Sequence, residues 1–426
     1  MFYSKIPVIS ALENLGAVKF TAYKITSSIF EPVPSATFKF TTSYATPEIL
    51  NLPIGSEFLV RYSFEDEVPE DGSDTYSDFP DLYLKKMKLK GSASGLEYEV
   101  QCRGILEFFQ NAEFRKCYKN KYSNEILNDI FDSLQAFKDY ERNFKKSSNS
   151  STLYRTLGET DLDFIKLQVN NNFLIEGGKP LFFTGLDKKL NLSSINALLT
   201  DPKKSKCAIL LSVVNDKLSP KFVADKIKSY VEDPDAENFS TPDFEMYLGN
   251  DRVLKGIKPE TFFTRFDSDV SSTAGYSFLP IQKESEKSVF PISKMFVNGV
   301  NTTDAKTFFN RPAKNVIAES RNTFESFEDL IKFKIKLTSL GPMKKLLLAG
   351  DKVCIVTPYP YSAFNGDYLI SAITYGAEKA AAFCELEVIR PNLDPSWSEK
   401  LEEQKDSEDF GFAYAPELNT STLFSV

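Results

Sequence analysis

Histidine is absent from all 426 residues. That removes the usual general base near neutral pH, the usual proton shuttle and the commonest metal ligand. Ser-His-Asp and Cys-His catalysis are excluded outright. Cysteine is scarce. Cys102, Cys117, Cys207, Cys354 and Cys384 make an odd number and none falls in C-x-x-C spacing. No disulfide framework or zinc site is expected. Cys102, Cys354 and Cys384 sit inside apolar alternating runs and read as small buried hydrophobes. Long apolar runs are missing too. "AILLSVV" at 208–214 is too short to span a bilayer. The opening "MFYSKIPVISALENLGAVKF" lacks the sustained apolar stretch of a signal peptide. A soluble chain, made in the cytoplasm without membrane insertion, is the expectation. A basic excess is also lacking, since the net charge is −8. A protein that grips nucleic acid by its phosphates gathers Lys and Arg.

Aromatic residues are plentiful. There are 37 Phe and 19 Tyr but a single Trp. Aromatics suit a pleated surface, which favours β-rich packing over helical bundles. The length exceeds one ordinary core and implies two to four domains.

The motifs that mimic chemistry have plainer explanations. "LGETDLDFIKL" carries Glu159, Asp161 and Asp163, which could imitate a glycosidase pair. Thr160 and Asp163 also make a T-x-x-D helix start, with Leu162, Ile165 and Val169 along one face. "EGGKP" at 176–180 falls short of a phosphate-loop pattern and reads as a hairpin turn between "NFLI" and "LFFTG". "GSASG" at 91–95 reads as a second strand connection. No catalytic residue, metal ligand or cofactor is expected.

Five regions follow from the pattern. Residues 1–110 form a first β-barrel domain, with strands at 36–44, 52–63, 82–90 and 96–109, and "AVKFTAYKITSSIF" at 17–30 alternating as a strand pair. An acidic exposed loop covers 65–81. Residues 111–205 are an α+β insertion. Its helix at 122–137 places Ile126, Ile130, Phe131 and Leu134 on one face with Ser123 as N-cap, and a short helix falls in 192–202. Residues 206–248 plus 326–391 form a second β-barrel domain, and 249–325 a loop-rich inserted domain. Residues 392–426 are an acidic tail. Counted from Pro391, this end has eight acidic residues against two Lys, and it finishes with Phe410, Phe412, Tyr414, Leu423 and Phe424. These apolar side chains are costly to leave in water, so the end is expected to dock on a partner.

The two β-rich regions repeat one pattern. "ATFKFTTSYATPEILNLPIGSEFLV" begins at Ala36, and "IKFKIKLTSLGPMKKLLLAGDKVCIV" begins at Ile331. Phe38 to Gly55 and Phe333 to Gly350 are both 17 positions. Strands "LYLKKMKL" and "LEYEVQCRGI" follow in the first region, "DYLISAITY" and "FCELEVIRP" in the second. Four elements in one order point to internal duplication. The fold expected is mainly β with α+β insertions: two duplicated antiparallel, tube-like barrels plus inserted mixed domains.

This arrangement resembles the baseplate hub protein of contractile-tailed bacteriophages, related to the hub part of type VI secretion spikes. The resemblance rests on "LPIGSEFLVRYS", "SNEILNDIFDSL", "LGETDLDFIKLQVNNNFLIEGGKPLFF" and "AGDKVCIV" followed by "NGDYLISAITYGAEKAAAFCELEVIRP". It implies a homotrimer whose six barrels form a pseudo-sixfold ring. That ring would adapt a hexameric tail tube to a trimeric central spike, among other baseplate proteins, with DNA passing through the lumen without specific binding. It implies a non-enzymatic part of the virion tail, made in the host bacterium. Three other readings stand beside it. They are a receptor- or carbohydrate-binding tail protein, a secretion-system spike hub, and a glycosidase using Glu159 with a partner Asp.

Overall fold

A computed structural model describes residues 8–9, 19–42, 57–58, 60–63, 76–78, 82–92, 95–108, 117–147, 151–154, 161–170, 174, 180–211, 231, 239–247, 261–267, 273–280, 295–301, 331–338, 346–357, 364–378 and 381–390. The N-terminal part carries β1 (Val8–Ile9), β2 (Lys19–Ser28), β3 (Ser35–Thr42), β4 (Glu57–Phe58), β5 (Val60–Ser63), β6 (Tyr76–Asp78), β7 (Leu82–Ser92) and β8 (Gly95–Gly104). The insertion holds β9 (Cys117–Lys121), α1 (Ser123–Asp132), β10 (Glu141–Phe144), β11 (Ser151–Tyr154), α2 (Asp161–Asn170), β12 (Leu181–Thr184), β13 (Lys189–Ser193) and α3 (Ile195–Thr200). Then come β14 (Ala208–Leu211), β15 (Phe239–Thr241), β16 (Phe244–Tyr247), β17 (Thr261–Asp267), β18 (Thr273–Pro280) and β19 (Met295–Asn301). The last strands are β20 (Ile331–Leu337), β21 (Lys352–Val356), β22 (Gly366–Glu378) and β23 (Ala381–Arg390).

Alternation builds the strands. On β20, Ile331, Phe333, Ile335 and Leu337 are buried while Lys334 and Lys336 face solvent. On β8, Tyr98, Val100 and Cys102 are buried and Gln101 is exposed. A period of two means one face on a core and one in water. All five residues of β21 are buried, so that strand is covered on both faces.

Twelve strands join in one sheet. In the first region β3 pairs β8, β8 pairs β7 and β7 pairs β4, all antiparallel. In the second, β20 pairs β23, β23 pairs β22 and β22 pairs β21, all antiparallel. Numbered along the chain, both four-strand units have the spatial order 1-4-3-2. The second unit gains β14 and β15, which pair in parallel, β14 lying parallel to β21. β15 bends through Pro242 and Asp243 into β16, which runs antiparallel to β20. Thr241 Oγ1 donates to the Lys336 carbonyl at 2.8 Å, and the Lys336 N–H to the Asp243 carbonyl at 2.9 Å. The pairings of the second unit thus return to their start.

Of residues 17–30, expected as a strand pair, 19–28 form the single strand β2 and 29–30 begin its turn. β2 pairs β22 without a shift from Ala22 to Ser28, and its one irregularity is a bulge against β3 between Phe20 and Ala22. Both units pack on one continuous core, which also takes in Leu181 and Phe183 of β12. Phe182, on the opposite face of β12, belongs to the insertion's own core with Phe131, Phe137 and Phe164. β12 is therefore a wall between two cores, and its four residues are all buried. The Thr184 N–H and hydroxyl both donate to the Pro32 carbonyl, at 3.1 and 3.0 Å, tying the insertion to the β2–β3 turn.

Within the insertion, α1 begins one residue earlier in its cap than expected. The Glu125 carboxylate accepts the Tyr122 N–H at 2.9 Å, which makes Tyr122 the N-cap and Ser123 the first helical residue. α1 ends at Asp132, and Leu134 reaches the same core from beyond its end. α2 buries Phe164 and Ile165. The Ser194 hydroxyl accepts the Ala197 N–H at 3.1 Å and caps α3, as a short helix in 192–202 requires. β12 pairs β13 in an antiparallel hairpin, and Leu174 bridges Ser147; the turn expected at 176–179 lies outside the described residues. β17, β18 and β19 make a separate antiparallel sheet in the region expected as a loop-rich inserted domain. Among the described residues no helix is long and apolar enough to cross a membrane.

Candidate functional site

Phe38 on β3 and Phe333 on β20 are both fully buried and hold the same place in the two units. Phe333 meets Tyr368 edge-on at 5.4 Å. Gly350 sits in the turn before β21 with φ +95°. The Leu348 carbonyl accepts the Asp351 N–H at 3.1 Å, and the Asp351 carboxylate accepts the Leu348 N–H at 3.0 Å. Gly350 is the third residue of that turn, where a positive φ is required. A Cβ there would come within 3.2 Å of the Phe183 ring, so the glycine also admits the insertion. Gly55 lies outside the described residues, as do Phe410, Phe412, Tyr414, Leu423 and Phe424.

The two units meet where β2 pairs β22, from Ala22 opposite Glu378 to Ser28 opposite Ala372. β22 first pairs β21 through Gly366–Leu369 and then changes partner. A bulge at Ser371 marks the change. Its carbonyl accepts both the Ile29 N–H and the Ser28 hydroxyl at 2.9 Å. The Thr26 and Thr374 hydroxyls bond across the junction at 2.9 Å. Lys24 Nζ lies 5.5 Å from the centre of the Phe383 ring. At Gly376 a Cβ would lie 2.8 Å from the Tyr23 carbonyl and closer still to Phe383. A glycine inside a strand marks a close approach of this kind, and this was the one local signal of the junction in the sequence.

The outward faces carry alternating charges. Lys39 lies 3.6 Å from Glu99 on the first unit. On the second, Lys332 and Lys334 reach Glu387 at 3.3 and 3.6 Å, and Lys336 reaches Glu385 at 3.5 Å. A cleft of about 150 Å³ lies between β13, α3 and the turn at 348–352. Five lysines line it, but Lys352 Nζ donates to the Asp201 carbonyl at 2.7 Å, and Lys189 lies 3.3 Å from both Asp187 and Glu141. It is a pinned joint between insertion and sheet.

Asp161 and Asp163 fall in the first turn of α2, where carboxylates favour the positive end of the helix dipole. Glu159 lies outside the described residues. Among the described residues no three His, Cys, Asp or Glu gather as a metal site would need. Cys102, Cys207, Cys354 and Cys384 are buried. Burial pushes the Cys102 thiol up to about 12, and burial with the Asp351 carboxylate does the same at Cys207. Cys384 is also shifted upward, by burial first. The thiolate is the reactive form, so these side chains act as packing groups.

No family model matches the sequence. No curated protein matches it either. Solved structures do match. The 43 kDa tail protein of prophage MuSo2 from Shewanella oneidensis aligns over 91% of this chain and 98% of its own, at 10% identity and a TM-score of 0.52. A tail protein from Neisseria meningitidis aligns over 90% and 97%, at 11% identity and a TM-score of 0.50. The chain has a phage tail-protein fold. An E. coli component of the type VI secretion system aligns over 91% and 78%, with a TM-score of 0.48. The fold is mainly β, as the alternation and aromatic content suggested, and the alignment covers nine-tenths of the chain.

Proposed function

We propose that the chain is a non-enzymatic structural component of a phage tail. In this reading three copies form a ring in which each chain supplies two tube-like units. The observation that carries it is the repeated 1-4-3-2 strand order, with the two units joined edge to edge by β2 and β22. A duplicated unit lets a threefold assembly present six similar surfaces. Such a ring would adapt a hexameric tail tube on one side to a trimeric central spike on the other, within the baseplate of the virion. The net charge of −8 would help DNA pass through the lumen by like-charge repulsion. The apolar end at 408–426 would dock on a neighbouring baseplate protein.

Electron microscopy of the purified chain, alone and with tube protein, tests the ring. Threefold particles with sixfold modulation around a channel are expected. Isolated monomers that never bind the tube would overturn the reading. A channel lined by Lys and Arg would overturn the charge argument alone. Unchanged spike or tube attachment after deletion of 408–426 would remove the docking role of that end.

A further inference from the structure

The cleft between β13, α3 and the turn at 348–352 holds a buried charge that no carboxylate pairs. Lys352 opens β21 and is only 9% exposed. A lysine is rarely buried to this degree unless an anion pairs with it. Its ammonium has three N–H donors. One donates to the Asp201 carbonyl, a neutral acceptor, at 2.7 Å. Among the described residues no carboxylate forms an ion pair with Lys352. The three aspartates of the cleft are engaged elsewhere. The Asp201 carboxylate accepts the Lys203 N–H and the Asp351 carboxylate accepts the Leu348 N–H, both at 3.0 Å, and Asp187 lies 3.3 Å from Lys189.

Three more lysines stand on the link from α3 to β14. Lys203 and Lys204 are exposed and Lys206 is half-buried. Among the described residues Lys203 and Lys204 enter no ion pair. The backbone that carries them is fixed. The Ser205 hydroxyl donates to the Asp367 carboxylate at 2.7 Å, and the Lys206 N–H donates to the Lys352 carbonyl at 2.8 Å. Binding therefore has only side chains to order. Phe183 and Leu198 add apolar wall, and a low local dielectric strengthens a charge contact made beside it.

Five lysines against three aspartates line the cleft, a local positive excess in a chain of net charge −8. Glu141 touches Lys189 from the exposed rim. A phosphate or phosphomonoester group carries about −1.5 to −2 at pH 7 and several acceptor oxygens, where one carboxylate carries a single charge. The volume of about 150 Å³ is ample beside the roughly 10–15 Å³ that one water needs.

We propose that this cleft binds a phosphate group, either the free ion or a small monoester. Lys352 Nζ supplies the buried contact, and Lys203, Lys204 and Lys206 meet the outer oxygens. A phosphate held there ties β21 to the link behind α3 and fastens the insertion to the sheet. The site lies within one chain and is independent of the ring reading.

The test is calorimetric titration of the full-length chain with inorganic phosphate at fixed ionic strength, with acetate and chloride as controls. Saturable one-site binding of phosphate, absent with either control, is the expected result. Saturating phosphate should also raise the melting temperature. Lys352→Met keeps an apolar stem and removes the charge. It should weaken phosphate binding at least about tenfold and abolish the rise in melting temperature. Lys203→Ala combined with Lys204→Ala alters only exposed side chains and should weaken binding about two- to fivefold. Glycerol phosphate separates the two sources. Binding as tight as that of phosphate assigns a monoester, and its failure to bind assigns the free ion. No saturable binding, equal heats from phosphate and chloride, or undiminished binding in Lys352→Met would overturn the proposal. If Lys352→Met does not fold, the exposed pair decides, and unchanged affinity there overturns the site.

Discussion

The two four-strand units follow one strand order and end differently. The second is closed through β14 and the bent pair β15–β16, whereas the first is open at β4 and β7 among the described residues. The closing strands come from residues 208–247, outside the repeated pattern. The repeat thus specifies who neighbours whom inside a unit, and flanking segments decide whether the unit closes. The same contrast appears in individual side chains. Ile373 and Leu89 are counterparts with opposite exposure, and among the described residues only Ile373 has a strand beyond it.

The largest effect should come from the paired phenylalanines. Phe38→Ala and Phe333→Ala each remove a fully buried ring and should cost about 3–5 kcal/mol. Because the two units share one core, denaturant unfolding should lower a single transition in both variants. Separate transitions for the two would show that the units fold independently and break the comparison.

Next come the glycines. Gly376→Ala forces a Cβ against the Tyr23 carbonyl at 2.8 Å and should cost about 1–3 kcal/mol. Gly91→Ala, near the end of β7, has Leu96 at 3.9 Å as its nearest described neighbour and should be neutral within about 0.5 kcal/mol. Melting curves of the two variants measure the difference that strand coverage makes. Equal losses would mean that the junction is not where the strain falls.

Two tyrosines sharpen the contrast. The Tyr375 hydroxyl donates to the Leu347 carbonyl at 2.9 Å and accepts its N–H at 3.0 Å. Tyr375→Phe should cost about 1–3 kcal/mol by leaving that backbone unpaired. Among the described residues the Tyr98 hydroxyl is buried with no hydrogen-bond partner, while its ring stacks on Phe40 at 5.1 Å. Tyr98→Phe keeps the stack and should be neutral or stabilising by about 1 kcal/mol. A marked loss at Tyr98 would reveal a partner for its hydroxyl.

The smallest effect belongs to the outward charges. Lys39→Ala and Lys334→Ala remove partly exposed pairs and should each cost less than about 1 kcal/mol, fading as salt is raised. Urea titrations at low and high ionic strength check both. A loss that persisted in high salt would assign these faces a packing role.

Much of the fold was legible because alternation is a local property. Ile331 to Leu337 alternates cleanly, and so does Tyr98 to Cys102, since each has one wet face. The 17-residue spacing marked two strand starts and a turn whose glycine carries a positive φ at 350. β12 was harder to place. Its four buried residues do not alternate in exposure, because its two faces serve different cores. α1 was found from its apolar face, but its cap shifted because Glu125 binds the Tyr122 backbone. Leu134 had looked helical, yet it reaches the core from beyond the helix end.

By itself the sequence determined that this protein is built of one-faced strands, lacks imidazole chemistry and repeats a four-strand order. Side-chain chemistry carries all three, and it is written residue by residue. Only the tertiary structure decided that β2 lies against β22 and that β15 bends into β16 to close the second unit. Thr26 and Thr374 meet across 348 residues of chain. Such pairings are made by backbone N–H and C=O groups that nearly every residue shares, so an edge leaves almost no mark on the side chains that border it.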